Sequence, residues 1–195
     1  PATPIVRLGK NDPALIRLYL DMGAAGVAVP FINTAAEARM GADACRYPPQ
    51  GTRGWGPHRA AAYGLQAEDY TAHSNENVLY FPIIETAEAV ENIEAILAVD
   101  GVDSCIVGPV DLCYALGIPF QFEHPDYLQA LDRVRRAADK AGKPAGLPLL
   151  GRMDDSENVR RQVDQGARLL LVGGDEPLLA AAFRQSLDAL VHLKT

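Results

Sequence analysis

Short apolar runs alternate with longer amphipathic segments along the whole chain. Each apolar run is five to eight residues long, as expected of a buried strand; the runs are 4–8, 26–31, 77–84, 103–108, 143–149 and 168–174. The amphipathic segments have the apolar spacing of helices and cover 12–24, 33–45, 86–97, 124–142, 156–167 and 176–193. The pattern predicts six consecutive strand–helix units, with a long loop between residues 45 and 77.

Capping signals support two of the predicted helices. Asp12 stands at a capping position before Pro13, and Gly23 follows the last apolar residue of that helix. His124 precedes Pro125 at the start of a later helix, which favours a structural role for this histidine.

Strands that are continuous apolar runs, joined by amphipathic helices, imply a parallel sheet covered by helices. A closed barrel or an open doubly wound sheet would both give this pattern. No GxGxxG motif follows the first strand, and the "LVGG" stretch near residue 173 lacks the rest of that motif. The sequence therefore gives little support to a dinucleotide-binding protein.

Composition narrows the possible functions further. With 48% hydrophobic and 22% charged residues, the 195-residue chain is expected to form one globular domain. A net charge of -7 and scattered arginines argue against a nucleic-acid partner, and no apolar run reaches the roughly 18 residues of a membrane span. Cys45, Cys105 and Cys113 lack metal-site or disulfide spacing, so we expect buried, free thiols and a cytoplasmic location.

Three charged residues stand at the ends of predicted strands. Glu85 and Asp111 occupy matching strand-to-helix junctions, and Arg7 ends the first strand. Each acid alone is more often a helix-start residue than a catalytic one. However, the carboxyl ends of parallel strands form one face, where barrel enzymes place their reacting groups. Two carboxylates without a nearby His or Cys suit Mg²⁺ or Mn²⁺ rather than structural zinc.

Several longer motifs resemble one enzyme family. They are "RYPPQGTRGWG" (46–56), "IETAEAVENIEAILAVDGVDSCIVGPVDL" (84–112), "HPDYLQAL" (124–131), "AGKPAG" (141–146) and "LLVGGDEPLL" (170–179). In collinear order from about residue 4 onward, the chain resembles the HpcH/HpaI family of metal-dependent pyruvate aldolases. The resemblance implies a (β/α)8 TIM barrel of the phosphoenolpyruvate/pyruvate type. Residues 1–195 would form a single barrel domain with about six β/α units, the first two lying outside this sequence.

The resemblance also implies an activity and a site. Family members cleave a 4-hydroxy-2-oxo acid reversibly into pyruvate and an aldehyde, through a metal-bound pyruvate enolate, and assemble into hexamers. The implied cofactor is Mg²⁺, Mn²⁺ or Co²⁺, and the implied partners are the 2-oxo acid, the aldehyde and further copies of the chain. The implied site residues are Glu85 and Asp111 as metal ligands, Arg7 as the catalytic residue, and Gly108, Pro109, Val110 and Leu147 as substrate-binding residues.

Alternatives remain open at this stage. The same fold and metal could use the enolate differently, as in citrate synthesis or oxaloacetate decarboxylation, or the chain could be a non-catalytic interaction module. Ile83 stands where the family usually carries Gln, and the family's His–Asp base is expected in the segment outside this sequence. The loop 46–56, which is long and contains the single Trp, is expected to cover the active site or to contribute to a neighbouring subunit.

Overall fold

A computed structural model describes residues 3–148, 156–164, 168–171 and 175–191. The chain divides into two compact units, Pro1–Gly146 and Leu147–Thr195. The strands are β1 (Ile5–Arg7), β2 (Gly26–Val29), β3 (Leu79–Ile84), β4 (Cys105–Val107), β5 (Ala145–Pro148) and β6 (Leu169–Leu171). Their order in the sheet follows the chain from β1 to β6. The predicted succession of strands is confirmed.

The helices of the first unit lie between strands β1 and β5 in the chain. They are α1 (Pro13–Asp21), α2 (Ala35–Cys45), α3 (Ala67–Asn77), α4 (Ala87–Glu91), α5 (Ile93–Leu97), α6 (Pro109–Ala115) and α7 (Pro125–Ala141), with a 3-10 turn at Ala62–Gly64. The helices of the second unit are α8 (Ser156–Asp164) and α9 (Asp175–Val191). Strands β1 to β5 pair in parallel, as connections through helices require.

The predicted caps are present. The Asp12 carboxylate accepts hydrogen bonds from the Ala14 and Leu15 N–H groups, at 2.8 and 3.4 Å. His124 caps α7 by accepting from the Asp126 N–H at 3.2 Å. The same helix ends at Gly142, whose φ of 68° lies in the left-handed region that favours glycine.

Two predictions about helices between residues 45 and 97 were wrong. The stretch predicted as a long loop contains α3, a polar helix in which Ser74 is the buried residue, so it lacks the apolar face that reveals a helix in sequence. The single helix predicted over 86–97 is divided into α4 and α5 at Asn92. At this break the Asn92 side chain donates a hydrogen bond to the Asn33 carbonyl at 2.8 Å, which ties the junction of α4 and α5 to the loop before α2.

Alternate residues of β3 serve different faces of the sheet. Tyr80 packs its hydroxyl against Gly41 of α2, so this face is covered by helices and holds most of the core. Ala28, Phe81 and Ile83 form a smaller buried cluster on the other face, against which Leu79 and Ile106 pack. Because side chains alternate along a strand, the residue after β3, Glu85, continues the face of Phe81 and Ile83.

The loop 46–56 is held by a buried arginine. The Arg53 side chain, which is 0% exposed, lies 2.7 Å from Asp21 at the end of α1, and donates to Ser74 near the end of α3 at 3.3 Å. In a β/α unit, the end of each helix leads into the beginning of the next strand. The loop therefore lies at the end of the sheet where strands begin, and the expectation that it covers the Glu85 end of its own chain was wrong.

The exposure of the cysteines and of His58 agrees with the sequence predictions. Cys45, Cys105 and Cys113 are buried and free, as predicted, and His58 is exposed. None of the helices in the described ranges has the length and apolar character needed to cross a membrane.

Candidate active site

The backbone brings Glu85 next to the start of α6. In β3 and β4, Ile84 pairs with Val107, and the Gly108 N–H donates to the Ile84 carbonyl at 3.0 Å. Glu85 is the next residue after Ile84, and Asp111 lies in the first turn of α6. The sheet therefore places the two predicted metal ligands at the carboxyl ends of neighbouring strands.

The Glu85 side chain fills a tight, buried space. It is 2% exposed, and its Oε1 accepts a hydrogen bond from the Phe31 N–H at 2.8 Å. Its Oε2 lies against Gly108, where an added Cβ would stand 2.6 Å away. Only glycine leaves room for this approach, so Gly108 determines where the second carboxylate oxygen can lie.

The electrostatic surroundings of Glu85 connect it with both predicted partners. Burial raises the pKa of the Glu85 carboxyl above its usual range, and the Phe31 N–H opposes this shift. The Asp111 carboxylate raises the pKa further, while the Arg7 guanidinium lowers it. The Glu85 carboxyl therefore interacts electrostatically with one negative side chain, Asp111, and one positive side chain, Arg7. Both of these side chains are exposed.

This arrangement fits a divalent cation. A buried carboxylate is costly to ionise unless positive charge compensates it, and a cation between Glu85 and Asp111 would supply that charge. The described parts of the chain contain no group of three or more His, Cys, Asp or Glu side chains arranged for a metal. Two carboxylates suit a hard, oxygen-preferring ion whose other positions are filled by water or substrate.

The floor beside Glu85 is apolar. Ala28, Phe81 and Ile83 are buried there, and Ile83 stands 3.4 Å from the position of a Cβ on Gly108. The side chain at position 83 therefore offers no hydrogen bond beside Glu85.

The predicted substrate-binding residues divide into two groups. Gly108 and Pro109 are half-buried, and Val110 is 37% exposed, at the start of α6 beside Glu85. Leu147 lies in β5, but its side chain lies outside the described part of the chain. The structure thus brings three of the four predicted positions to the Glu85 end of the sheet.

Phe31 is a neighbour of the site that sequence reasoning missed. Its φ of 53° lies in the left-handed region, where a non-glycine residue costs about 1–2 kcal/mol. No residue-type pattern announces such a conformation. The nearest signal is the "TAAE" capping box of Thr34 and Glu37, which marks the loop before α2.

Comparisons with known proteins show the family to which the chain is similar. Residues 1–180 match the family model described as HpcH/HpaI aldolase/citrate lyase. The 5-keto-4-deoxy-D-glucarate aldolase of Escherichia coli (strain K12) is 37% identical over 188 residues, which cover 96% of this chain and 72% of that protein.

Solved structures give the same result. An HpcH/HpaI aldolase/citrate lyase family protein from Burkholderia cenocepacia J2315 has a TM-score of 0.87 at 34% identity, over 97% of this chain and 74% of that one. The citrate synthase SbnG has a TM-score of 0.84 at 26% identity, over 98% of this chain and 73% of that one. These likenesses confirm the predicted fold class, the α/β barrel of the phosphoenolpyruvate/pyruvate type. The chain belongs to the HpcH/HpaI aldolase/citrate lyase family of enzymes.

Proposed function

We propose that this protein is a divalent-metal-dependent aldolase that cleaves a 4-hydroxy-2-oxo acid into pyruvate and an aldehyde. The observation that carries the proposal is the buried Glu85 carboxylate at a strand end, whose charge is influenced by Asp111 and Arg7. Membership of an aldolase and lyase family supports the reaction class, and an aldolase is 37% identical to this chain.

Glu85 and Asp111 would hold the metal, with Mg²⁺, Mn²⁺ or Co²⁺ as the candidates in a family that depends on divalent metals. When bound, such an ion supplies a Lewis acid for the keto and carboxylate oxygens of a 2-oxo acid. The residues around it do the positioning. The Phe31 N–H holds Oε1 of Glu85, and the lack of a side chain at Gly108 leaves room for Oε2.

Arg7 is assigned to the keto oxygen of the substrate. In the cleavage, the C3–C4 bond breaks, the 4-hydroxyl loses its proton, and C4 becomes the aldehyde carbon. The electron pair of the broken bond places negative charge on the keto oxygen until C3 takes up a proton and becomes the methyl group of pyruvate. A guanidinium stays protonated and presents several fixed donors to this charge. Arg7 ends β1 and is exposed at that strand end.

The start of α6 is assigned to the substrate carboxylate. The first backbone bond of this helix runs from the Leu112 N–H to the Gly108 carbonyl, so the N–H groups of Val110 and Asp111 precede the helical ladder. Such amides favour an anion. Phe81 and Ile83 are buried and apolar beside Glu85, and polar contacts are stronger next to such side chains because the local dielectric constant is lower.

Pyruvate release tests the proposal. The protein is incubated with a 4-hydroxy-2-oxo acid and Mg²⁺ or Mn²⁺, and pyruvate is measured with lactate dehydrogenase and NADH. We expect pyruvate release to stop when a chelator is added and to return with excess metal. Glu85→Gln and Asp111→Asn should each lower the rate at least about 10²-fold, because each removes a proposed metal ligand. Release that survives the chelator or both substitutions would contradict the proposal.

One alternative has an observation in its favour. Ile83 presents an apolar side chain beside the site, at a position where the sequence resemblance implies Gln, and the citrate synthase SbnG is similar in fold at 26% identity. A citrate synthase, which adds an enolate to oxaloacetate, or an oxaloacetate decarboxylase would consume oxaloacetate and leave 4-hydroxy-2-oxo acids intact. Product analysis by mass spectrometry with each substrate separates the two reactions. A non-catalytic module would bind Mn²⁺ but fail to exchange the methyl protons of pyruvate with deuterium from the solvent.

A further inference from the structure

Phe31 adopts a conformation that its residue type does not favour. A bulky residue at φ 53° is an outlier, and its side chain is 53% exposed, so contacts of the ring do not explain the strain. Its neighbours are both buried, Pro30 on one side and Ile32, at 0% exposure, on the other. The left-handed turn lets Ile32 enter the core while the Phe31 N–H points to the Glu85 carboxylate, 2.8 Å away.

Asn33 fixes this loop to the strand end that carries Glu85. The Thr86 hydroxyl donates to the Asn33 side-chain oxygen at 2.5 Å, and Thr86 directly follows Glu85. The Asn92 side chain donates to the Asn33 carbonyl at 2.8 Å, and the Asn33 N–H donates to Glu37 at 2.8 Å. The loop and the strand end are therefore joined twice, through Glu85 and through Thr86.

We propose that residues 30–34 form a positioning loop whose left-handed Phe31 orients the Glu85 carboxylate for metal binding, with Asn33 holding the loop in place. The proposal rests on the proposed function, since it takes Glu85 as a metal ligand. With Oε1 bonded to the Phe31 N–H, Oε2 remains at the Gly108 side, towards α6 and Asp111. Hydrogen bonds to a ligating carboxylate fix its orientation, and losing them typically lowers metal affinity 10- to 100-fold.

The test compares two substitutions that both remove the Phe31 ring. Glycine adopts a positive φ readily, whereas a β-branched residue strongly disfavours it. We expect Phe31→Val to bind Mn²⁺ at least about tenfold more weakly than Phe31→Gly, measured on the protein by titration with electron paramagnetic resonance. Equal affinities of these two variants would overturn the proposal.

Tyr63 provides a matched control. It has a φ of 56° and is 79% exposed, in a turn that follows the loop at the opposite end of the sheet. Tyr63→Val and Tyr63→Gly should differ in thermal stability but share one Mn²⁺ affinity. A difference in affinity as large as that at position 31 would show that strain anywhere weakens the site, and would overturn a specific role of Phe31.

Asn33 is tested by rescue. Asn33→Ala removes the acceptor of the Thr86 hydroxyl and should weaken Mn²⁺ binding about three- to tenfold, whereas Asn33→Asp retains an acceptor oxygen and should restore most of it. An Asn33→Asp variant that binds Mn²⁺ as weakly as Asn33→Ala would overturn the role of the Asn33 side-chain oxygen.

The two proposals fail in different ways. If Glu85→Gln leaves Mn²⁺ affinity unchanged, Glu85 is not a ligand and the proposed function loses its metal site. If Glu85→Gln abolishes binding while Phe31→Val and Asn33→Ala bind normally, the metal site stands and the positioning loop alone is rejected.

Discussion

Glu85 and Arg7 carry opposite charges at the ends of different strands, and they differ most in exposure. Glu85 is 2% exposed and hydrogen-bonded through Oε1, whereas Arg7 is exposed at the end of β1. Removing the buried carboxylate, which is the proposed metal ligand, and removing the exposed cation should therefore have separable effects. The buried residue should control metal binding and stability, and the exposed one should control turnover.

For Arg7, we expect Arg7→Ala to lower turnover by about 10²- to 10³-fold, the usual effect of removing one preorganised donor from an oxyanion. Mn²⁺ affinity should change by less than about threefold, because Arg7 is proposed to contact the substrate and not the metal. Arg7→Lys should restore only part of the rate, since an ammonium lacks the planar set of guanidinium donors. Pyruvate release and Mn²⁺ titration are measured on the same preparations. Unchanged turnover in Arg7→Ala would remove this residue from the mechanism.

For Glu85, we expect the metal-free Glu85→Gln variant to be more stable than the wild type at neutral pH. Burial raises the pKa of the carboxyl in the folded state, so the folded protein holds this proton to a higher pH than the unfolded chain. Stability is therefore lost as pH rises through the folded-state pKa, and Gln avoids this loss. The variant should therefore have the higher Tm at neutral pH.

Thermal unfolding in the presence of a chelator, from pH 4 to pH 8, checks this expectation. The difference between variant and wild type should grow as pH rises and should vanish at the acid end. Saturating Mn²⁺ should reverse the order, because only the wild type gains binding energy. A variant that is less stable than the wild type at every pH would contradict the account of Glu85 as an uncompensated buried charge.

At the scale of elements, helix starts were predictable where local chemistry specifies them. Asp12 and His124 cap their helices as the sequence indicates. The polar helix α3 was missed because its pattern lacks an apolar face, and the division at Asn92 depends on a partner 59 residues away. The acids after β3 and β4 were visible as charges that follow apolar runs. The backbone of Phe31 was not, since a φ of 53° at a bulky residue has no residue-type signal.

The loop 46–56 gives a prediction about stability. Arg53→Met should cost about 1.5–3 kcal/mol, because it removes the buried charged hydrogen bond to Asp21 at 2.7 Å. Arg17 provides the control, since its exposed side chain reaches the same Asp21 at 3.3 Å. Arg17→Met should cost less than about 1 kcal/mol.

Urea unfolding gives both values. Mn²⁺ affinity of folded Arg53→Met should equal that of the wild type, because the loop lies at the sheet end away from Glu85. Equal costs for the two arginines would show that burial of Arg53 adds nothing to the pair. A loss of affinity in the folded variant would connect the loop with the metal site.

At the scale of the molecule, the alternation of strands and helices was enough to predict six strands in chain order. It could not separate a barrel from an open sheet, because both bury parallel strands on two faces; the motifs 46–56 and 84–112 made that distinction. The implied first two β/α units, the hexamer and the cytoplasmic location stay predictions. The 37%-identical aldolase is matched over 72% of its length.

The last helix, α9, gives the prediction about assembly. Its side chains at Leu179, Phe183 and Leu187 are 58%, 67% and 61% exposed, and their spacing of four residues places them along one side of the helix. Such a stripe is costly to leave in water, so we expect it to contact a second copy of the chain in the predicted homo-oligomer.

Sedimentation velocity over about 1–100 µM protein tests this assembly, because this range would reveal a dimer with a micromolar Kd. The wild type should sediment faster as concentration rises, and the double variant Phe183→Glu with Leu187→Glu should shift towards the monomer at every concentration. Gln185→Glu adds a charge on the other side of the same exposed helix and should sediment like the wild type. A wild type that remains monomeric throughout would reject the predicted assembly. If oligomers persist in the double variant, the interface lies on another surface. Two buried carboxylates without partners would not be tolerated in a packed apolar interface on α9.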